Sequence, residues 1–300
     1  MPRSSPDPDP APALEEGRAC EACGVETRDW RVGPTCVLHR CPSCGHVERD
    51  LEECGKSARG HPWGGSGVLD RIRSTLALRS IDRLLQSRAS LRVLEIGFGE
   101  GMVLSGLMDR GHDVSGIDPG VLERDLPPSL RRRATIHAQP AEEVELPERS
   151  FDLIYGIHVV EHLRDPALVL RACHQALRPG GILYLMTPDA ASDGLRLFGE
   201  RWWNLEDPTH VRFFSPRSIS IMLSRAGFRR ARIRTPILDG LSIEISSLIR
   251  TIRPRPNEHG VLGSRAVLPL YVLLAPVALA ARALWPRLSP SMEVVARSEP

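Results

Sequence analysis

The sequence has little of several features that would each place it in a specialised class. Aromatic residues make up only 5% of it, and its formal net charge is +2, so it has neither a strong basic field nor an acidic tail. Seven cysteines, unevenly spread, are too few for a secreted disulfide scaffold. The N-terminus has no apolar signal core. We therefore expect a cytoplasmic protein without a nucleic-acid partner.

One hydrophobic stretch, 266–281, runs for sixteen residues without a charge. A membrane-spanning helix needs about 20 residues, and Pro269 and Pro276 are expected to interrupt this one. We therefore predict no span. Tyr271, Trp285 and six flanking arginines favour peripheral attachment to the inner face of the membrane. The arginines are Arg250, Arg253, Arg255, Arg265, Arg282 and Arg287. The alternatives are packing against the core and a homodimer through residues 262–286.

Composition divides the chain into segments. Prolines crowd a tail that we expect to be disordered, six of the seven cysteines follow in a small module, and a Gly-rich linker comes next. The predicted segments are a tail at 1–17, a cysteine module at 18–56, a linker at 57–67, a main domain at 68–240 and 291–300, and a hydrophobic insertion at 241–290.

Strand and helix patterns alternate through the main domain. An amphipathic helix is predicted at 68–85, and Asp165 and Pro166 mark the start of another. Seven apolar segments have strand character: LRVLEIG, HDVSGID, ATIHA, FDLIYGI, GILYLMT, RRARIRTPIL and MEVVARS. This alternation predicts an α/β fold with a doubly wound, mostly parallel seven-stranded sheet.

The most informative segment is VLEIGFGEG at 93–101, where a buried strand runs into three glycines. Met102 stands where the dinucleotide fingerprint needs glycine, and no Lys-Ser/Thr pair follows, so neither pyrophosphate motif fits. Glu95, just before the first glycine, suits a ligand with a cationic amine. Asp118 ends the second strand, where a carboxylate accepts ribose hydroxyls.

The segments VLEIGFGEG, GIDP, AEEVELPERSFD, HVVEHLRDP and LRPGGILYLMTP, in this order, resemble the motifs of class I S-adenosylmethionine-dependent methyltransferases. The resemblance implies a Rossmann-like sheet and S-adenosylmethionine as cofactor. It places methionine at Glu95 and the glycines, ribose at Asp118 and adenine near Ala141, although Pro140 replaces the family's usual Asp. The implied cofactor contacts are Glu95, Gly97, Phe98, Gly99, Gly101, Asp118, Pro119, Ala141, Glu142 and His158.

Two CxxC knuckles in the cysteine module predict a structural zinc ribbon, with Cys20, Cys23, Cys41 and Cys44 as metal ligands. Two disulfides or unlinked thiols are the alternatives. Cys36 and Cys54 fit neither knuckle, so we expect them to be packed or exposed thiols, with a role as replacement ligands as the alternative. The layout is similar to zinc segments on sugar methyltransferases of antibiotic pathways, which keeps a C-methyltransferase of nucleotide sugars open.

Histidines supply the candidate bases. His158, Glu161 and His162 follow the fourth strand and share one face if a helix starts there. The string is similar to the Glu-x-x-Glu-His of quinone-pathway O-methyltransferases, where the acidic groups hold a divalent metal, but His158 replaces the first Glu and weakens the case for Mg²⁺. Helix capping by Glu161 and His162 is the alternative. His210, in the aromatic segment WWNLEDPTHVRFFSP, is the third candidate base.

These features favour an S-adenosylmethionine-dependent methyltransferase. We expect it to methylate an oxygen of a small-molecule, glycan or lipid-linked acceptor, with His158, His162 or His210 as base. The competing class is a binding protein, in which the zinc ribbon recruits a partner and the methyltransferase-like core is not catalytic.

Overall fold

The computed structural model describes residues 18–54, 67–85, 90–120, 126–207, 209–236, 240–252 and 268–299. The predicted tail, the linker up to residue 66 and residues 253–267 of the predicted insertion lie outside the described residues. The strands are β1 Arg28–Gly33, β2 Cys36–Arg40, β3 Val47–Cys54, β4 Arg92–Ile96, β5 Asp113–Ile117, β6 Thr135–His137, β7 Phe151–Ile157, β8 Leu177–Pro188, β9 Arg212–Phe213, β10 Ala231–Arg234 and β11 Ser291–Arg297. The α-helices are α1 Gly67–Leu85, α2 Met102–Asp109, α3 Pro128–Arg133, α4 Pro166–Ala176, α5 Asp193–Phe198, α6 Pro216–Arg225, α7 Leu241–Ile252 and α8 Leu268–Leu284.

Among the described residues, seven strands form the main sheet in the order β10-β11-β8-β7-β4-β5-β6. Neighbours from β8 to β6 are parallel, and β11 is antiparallel to both β8 and β10. The predicted doubly wound, Rossmann-like sheet is confirmed. Its order brings the carboxyl ends of β4, β5 and β7 to one edge, where ligands bind in such sheets.

Local signals set the helix boundaries as predicted at several points. The Asp165 side chain accepts a hydrogen bond from the Leu168 amide at 2.8 Å, and Pro166 is the first residue of α4. Ser215 and Ser218 form a capping box at the start of α6. The condition set for His158, Glu161 and His162 to share a helical face is not met, because residues 158–163 form a turn and the helix begins only after the Asp165 cap.

The hydrophobic run also differs from expectation. α8 continues through Pro276, and Pro269 lies in its first turn, where a missing amide proton costs little. No helix among the described residues has both the length and the apolarity needed to cross a bilayer. One face of α8 packs on α7 and Trp203, with Leu274 and Ala278 in the contact. The other face exposes Val272, Leu273, Val277 and Leu284.

Two of the arginines expected beside the membrane point inward instead. Arg282 pairs with Glu244 at 2.8 Å, and Arg250 pairs with Glu206 at 2.8 Å. Arg282 is buried, and most of the Arg250 side chain is covered. These two side chains therefore stabilise the α7–α8 region and do not face a headgroup.

The cysteine module packs into the main domain. Its strands form a second sheet in the order β1-β2-β3-β9, and β9 comes from the main domain. Cys20, Cys41 and Cys44 share a hydrophobic cluster with Phe214 and Ile219. The expectation for Cys36 and Cys54 was wrong, because they lie opposite each other on β2 and β3 and form a disulfide.

Candidate active site

The glycine loop leaves the carboxyl end of β4 in a conformation that requires glycine. Gly97, Gly99 and Gly101 have φ angles of 71°, 52° and 72°, in the left-handed region. The Gly97 amide donates to the Ile117 carbonyl at 2.7 Å. A Cβ at Gly97 would lie 2.6 Å from a methyl group of Val159. The loop and the turn after β7 are therefore in direct contact.

Asp118 fixes this loop from the end of β5. One carboxylate oxygen accepts the Gly99 amide at 2.8 Å, and the other accepts the Gly120 amide at 2.9 Å. A carboxylate has about four acceptor positions, so each oxygen keeps capacity for a hydroxyl group. The side chain thus shapes the loop and also presents acceptors at the sheet edge.

Glu95 is buried beneath the loop. The Tyr155 hydroxyl donates to its carboxylate at 2.5 Å. Burial raises the pKa of Glu95 to about 8, and the nearby Asp118 charge also raises it, although the hydrogen bond from Tyr155 opposes them. A carboxylate held this way is poised to lose its proton when a cation arrives beside it.

The other residues assigned to the cofactor lie in different surroundings. The Phe98 ring is buried in the core and packs against Gly116. Ala141 and Glu142 form a short 3₁₀ turn. The Glu142 carboxylate accepts the Arg164 amide at 2.7 Å, so it stabilises the approach to α4. Pro119 follows Asp118 directly at the end of β5.

The three candidate histidines meet around one carboxylate. Glu161 is fully buried in the turn after β7, and its Oε1 lies 3.3 Å from Nδ1 of His158 and 3.9 Å from Nε2 of His210. The rings of His162 and His210 are 4.6 Å apart. The other Glu161 oxygen accepts a hydrogen bond from the Thr187 hydroxyl at 3.0 Å.

His158, Glu161, His162 and His210 form what we call the histidine cluster. Their surroundings shift the pKa values of Glu161 and His210 in particular. Burial alone would raise the pKa of Glu161, but the hydrogen bond with His158 and the three nearby imidazoles lower it to about 2. Burial and the neighbouring His162 lower the pKa of His210 to about 4, against the opposing effect of Glu161 and Asp207. Glu161 is thus ionised and His210 neutral near pH 7.

His158 has the geometry of an oriented base. Its backbone φ is 52°, and its amide donates to the Met186 carbonyl at 2.7 Å. This non-glycine left-handed conformation, held by the neighbouring strand, turns the residue at the end of β7. With its proton on Nδ1, His158 donates to the Glu161 carboxylate, and Nε2 is then the basic nitrogen of the ring.

One side of the histidine cluster is formed by residues 204–207 and 209–214, a segment that includes His210 and that we call the wall. The Thr209 carbonyl lies 3.1 Å from His162 Nδ1, and the Thr209 hydroxyl donates to Asp207 at 2.5 Å. His210 Nδ1 lies 2.7 Å from the Asn204 carbonyl, which places the proton on that nitrogen. Four aromatic side chains in and next to this segment are buried and pack inside the protein: Trp202, Trp203, Phe213 and Phe214.

The histidine cluster does not fit magnesium. Three of its members, Glu161, His162 and His210, present ligand atoms within 4.8 Å of one another. Two imidazoles and one carboxylate form a donor set for transition metals, whereas Mg²⁺ prefers oxygen ligands. Mg²⁺ therefore has no part in the reaction proposed below.

The four knuckle cysteines do fit zinc. The Sγ atoms of Cys20 and Cys44 are 3.6 Å apart, and those of Cys23 and Cys41 are 3.4 Å apart. Tetrahedral Zn–S bonds of about 2.3 Å imply sulfur–sulfur distances of about 3.8 Å. Burial raises the pKa of the Cys20 thiol to about 11 and raises that of Cys44 further. For Cys41, burial is outweighed by hydrogen bonds from the Cys44 amide and from Cys23, which lower its pKa to about 7. Ionising Cys20 and Cys44 therefore needs a cation.

Some residues and contacts of the candidate site could not be predicted from the sequence. Tyr155 lies in an apolar strand segment, and nothing in FDLIYGI pairs its hydroxyl with Glu95. Asp207 and Thr209 carry only the weak signal of a polar turn, DPT, before His210. The contacts between the cysteine module and the wall join residues more than 150 positions apart and have no local signal.

Comparison with known proteins places the fold in a family. The profile of the family described as "Methyltransferase domain" matches residues 69–231, more than half of the chain. The "Ubiquinone biosynthesis O-methyltransferase" of Cereibacter sphaeroides is 27% identical over 192 residues, which cover 55% of this chain and 74% of the relative. The protein of the same name from Azorhizobium caulinodans is 29% identical over 171 residues, 53% and 67% of the two chains.

Solved structures share the fold at low identity. A phosphoethanolamine N-methyltransferase 2 of Haemonchus contortus superposes with a TM-score of 0.52 at 18% identity, covering 76% of this chain but only 52% of that protein. A Galdieria sulphuraria protein described as a sarcosine dimethylglycine methyltransferase has a TM-score of 0.50 at 14% identity, covering 80% and 93%. With the glycine loop and Asp118 arranged as described, the chain belongs to the methyltransferase domain family and is a class I S-adenosylmethionine-dependent methyltransferase.

Proposed function

We propose that the protein methylates a hydroxyl oxygen of a small-molecule acceptor, with His158 as general base. The observation that carries this proposal is the buried Glu161 carboxylate, 3.3 Å from His158 Nδ1, in the turn after β7 whose Val159 contacts the glycine loop. The names of the bacterial relatives support oxygen as the acceptor atom.

The donor side uses β4 and β5. Glu95 binds the cationic amine of the methionine part, the loop of Gly97, Gly99 and Gly101 lies against its backbone, and Asp118 accepts the ribose hydroxyls. The adenine would be held near Ala141 by the backbone amide, since the Glu142 carboxylate accepts the amides of Arg164 and Asp165.

Methyl transfer is an in-line displacement. The acceptor oxygen attacks the methyl carbon, the carbon–sulfur bond breaks, and the bond electrons stay on sulfur as S-adenosylhomocysteine forms. His158 Nε2 takes the hydroxyl proton, and Glu161 orients the imidazole and stabilises its cationic form. Burial lowers the pKa of His210 to about 4, which makes it a weak base, so we assign it to the wall and His162 to packing beside the wall.

The matched test replaces His158 by Asn and Glu161 by Gln. His158→Asn should lower methylation turnover by about 10²–10⁴-fold, and Glu161→Gln should lower it less. Both variants should keep S-adenosylhomocysteine binding, since the contacts proposed for its amine at Glu95 and its ribose at Asp118 are unchanged. Full turnover in His158→Asn would remove this residue as the base.

Two further features belong to the proposal. The four-cysteine site holds one structural zinc. The exposed apolar face of α8 supports peripheral attachment to the inner face of the membrane, which would bring the active site to a lipid-linked or glycan acceptor; a homodimer through the same helix is the competing arrangement.

A further inference from the structure

The wall is paired directly with the cysteine module. β9, inside the wall, pairs with β3 of the module, so that Val47 lies opposite Phe213 and Glu48 opposite Arg212. The Arg49 amide extends this pairing by donating to the Val211 carbonyl at 2.9 Å. The module sheet and the wall thus share backbone hydrogen bonds directly beside His210.

Two charged contacts hold the wall, one at Asp207 and one at Arg212. The buried Arg49 guanidinium donates to the Asp207 carbonyl at 2.8 Å. Arg212 forms an ion pair with Glu21 at 2.7 Å, and His46 lies 2.8 Å from the same carboxylate oxygen. Such contacts are largely shielded from water, which makes the loss of one partner costly.

Apolar packing joins the same parts. Phe213 lies in a buried cluster with Leu38 and Val47 of the module. Phe214 lies in the cluster that contains Cys41 and Cys44. The Ser215 hydroxyl donates to the Cys44 carbonyl, so the residue after the wall is hydrogen-bonded to the backbone of a predicted metal ligand.

We propose that the cysteine module is the positioning element of the wall, with Arg49 and Glu21 as its positioning residues, so that metal binding at the four cysteines orders one side of the active site. The donor side is organised separately, by contacts among β4, β5 and β7. That the wall faces the acceptor rests on the proposed function. The dependence of the wall on the module does not rest on it.

The primary test compares Arg49→Met with wild type in the full-length protein. The control is Arg18→Met, because Arg18 lies in the same module but pairs with Asp50 on the surface. Amide hydrogen exchange, followed by mass spectrometry, should be about 10- to 100-fold faster at residues 209–214 in Arg49→Met and unchanged in the control. Arg49→Lys should recover part of the protection, since it restores the donor.

Two readouts separate positioning from general loss of structure. The Nδ1 proton of His210, which lies against the Asn204 carbonyl, should give a protected signal in ¹⁵N-histidine spectra that broadens or disappears in Arg49→Met. Affinity for S-adenosylhomocysteine should stay within about twofold of wild type. Unchanged exchange and an unchanged His210 signal would overturn the proposal, as would an equal loss of donor binding.

Two variants cover the case in which Arg49→Met does not fold. Glu21→Gln removes the charge opposite Arg212 at a partly exposed position and should loosen residues 211–214 selectively. Cys41→Ser should lose metal and loosen the same wall residues while 92–118 keep their protection. A wall that stays protected in both would refute the inference. Activity loss in His158→Asn tests the proposed chemistry instead, so the two ideas can fail separately.

Discussion

Donor binding should depend on pH through Glu95. Its pKa of about 8 means that the carboxyl group is mostly protonated in the free protein near neutrality. If a cationic amine binds beside it, the complex requires the ionised form. Binding should therefore release a proton, and affinity should rise with pH up to about 8.

The magnitude follows from the ionised fraction. With a pKa of about 8, that fraction is about 1% at pH 6 and about 25% at pH 7.5, so the affinity for S-adenosylhomocysteine should rise about 25-fold, or about 2 kcal/mol. The stability of the free protein has the opposite pH dependence from the affinity. Because burial raises the pKa of Glu95 above its ordinary value of 4.5, the stability contributed by its protonated form is complete below pH 4.5 and is lost as pH rises to about 8.

Isothermal titration calorimetry with S-adenosylhomocysteine measures both effects. Repeating the titration in buffers of different ionisation enthalpy counts the released proton. Glu95→Gln is the matched control, because it keeps a hydrogen-bond partner for Tyr155 and cannot ionise. Its affinity should be lower at pH 7.5 and nearly independent of pH. The same pH dependence in wild type and Glu95→Gln, or no released proton, would refute the reasoning.

Three further perturbations probe other parts of the molecule. Asp118→Ala should weaken S-adenosylhomocysteine binding by about 1.5–3 kcal/mol, because it removes charged acceptors for the ribose and for Gly99; calorimetry showing wild-type affinity in a folded variant would contradict this. Protein purified without chelator should contain one zinc per chain, which Cys41→Ser should lose, and elemental analysis that finds no zinc in the wild type would exclude the ribbon. Replacing Val272, Leu273 and Val277 by Ser should abolish flotation with anionic liposomes; a wild type that stays monomeric and ignores the vesicles would exclude both the membrane and the dimer.

The fold could be predicted because its signals are local. Apolar runs ending in glycine or aspartate mark β4 and β5, and the Asp165-Pro166 pair marks the start of α4. Each depends on neighbours in sequence. The same holds for the cofactor loop, whose left-handed glycines are visible as a spacing.

The rest depends on contacts between distant residues. Nothing near Cys36 or Cys54 shows that β2 and β3 place them opposite each other. The inward turn of Arg282 depends on Glu244, 38 positions away. The continuation of α8 through Pro276 was also missed, because proline usually ends a helix and only the whole structure shows where it does not.

The histidine cluster illustrates both cases. The sequence predicted that His158, Glu161 and His162 act together, although through a helical face that the structure replaces with a turn. It proposed His210 as a separate candidate. Only the fold brings His210 to within 3.9 Å of Glu161, because the wall crosses the end of β7.

A crystal structure with bound S-adenosylmethionine is the most direct test of the central claim, that donor and base meet at the end of β7. An acceptor oxygen must fit between the methyl carbon and His158 Nε2, about 3 Å from each. We expect these two atoms to lie about 5–6 Å apart, with the amine at Glu95 and the ribose at Asp118. A donor bound elsewhere, or a methyl group directed away from the histidine cluster, would contradict it.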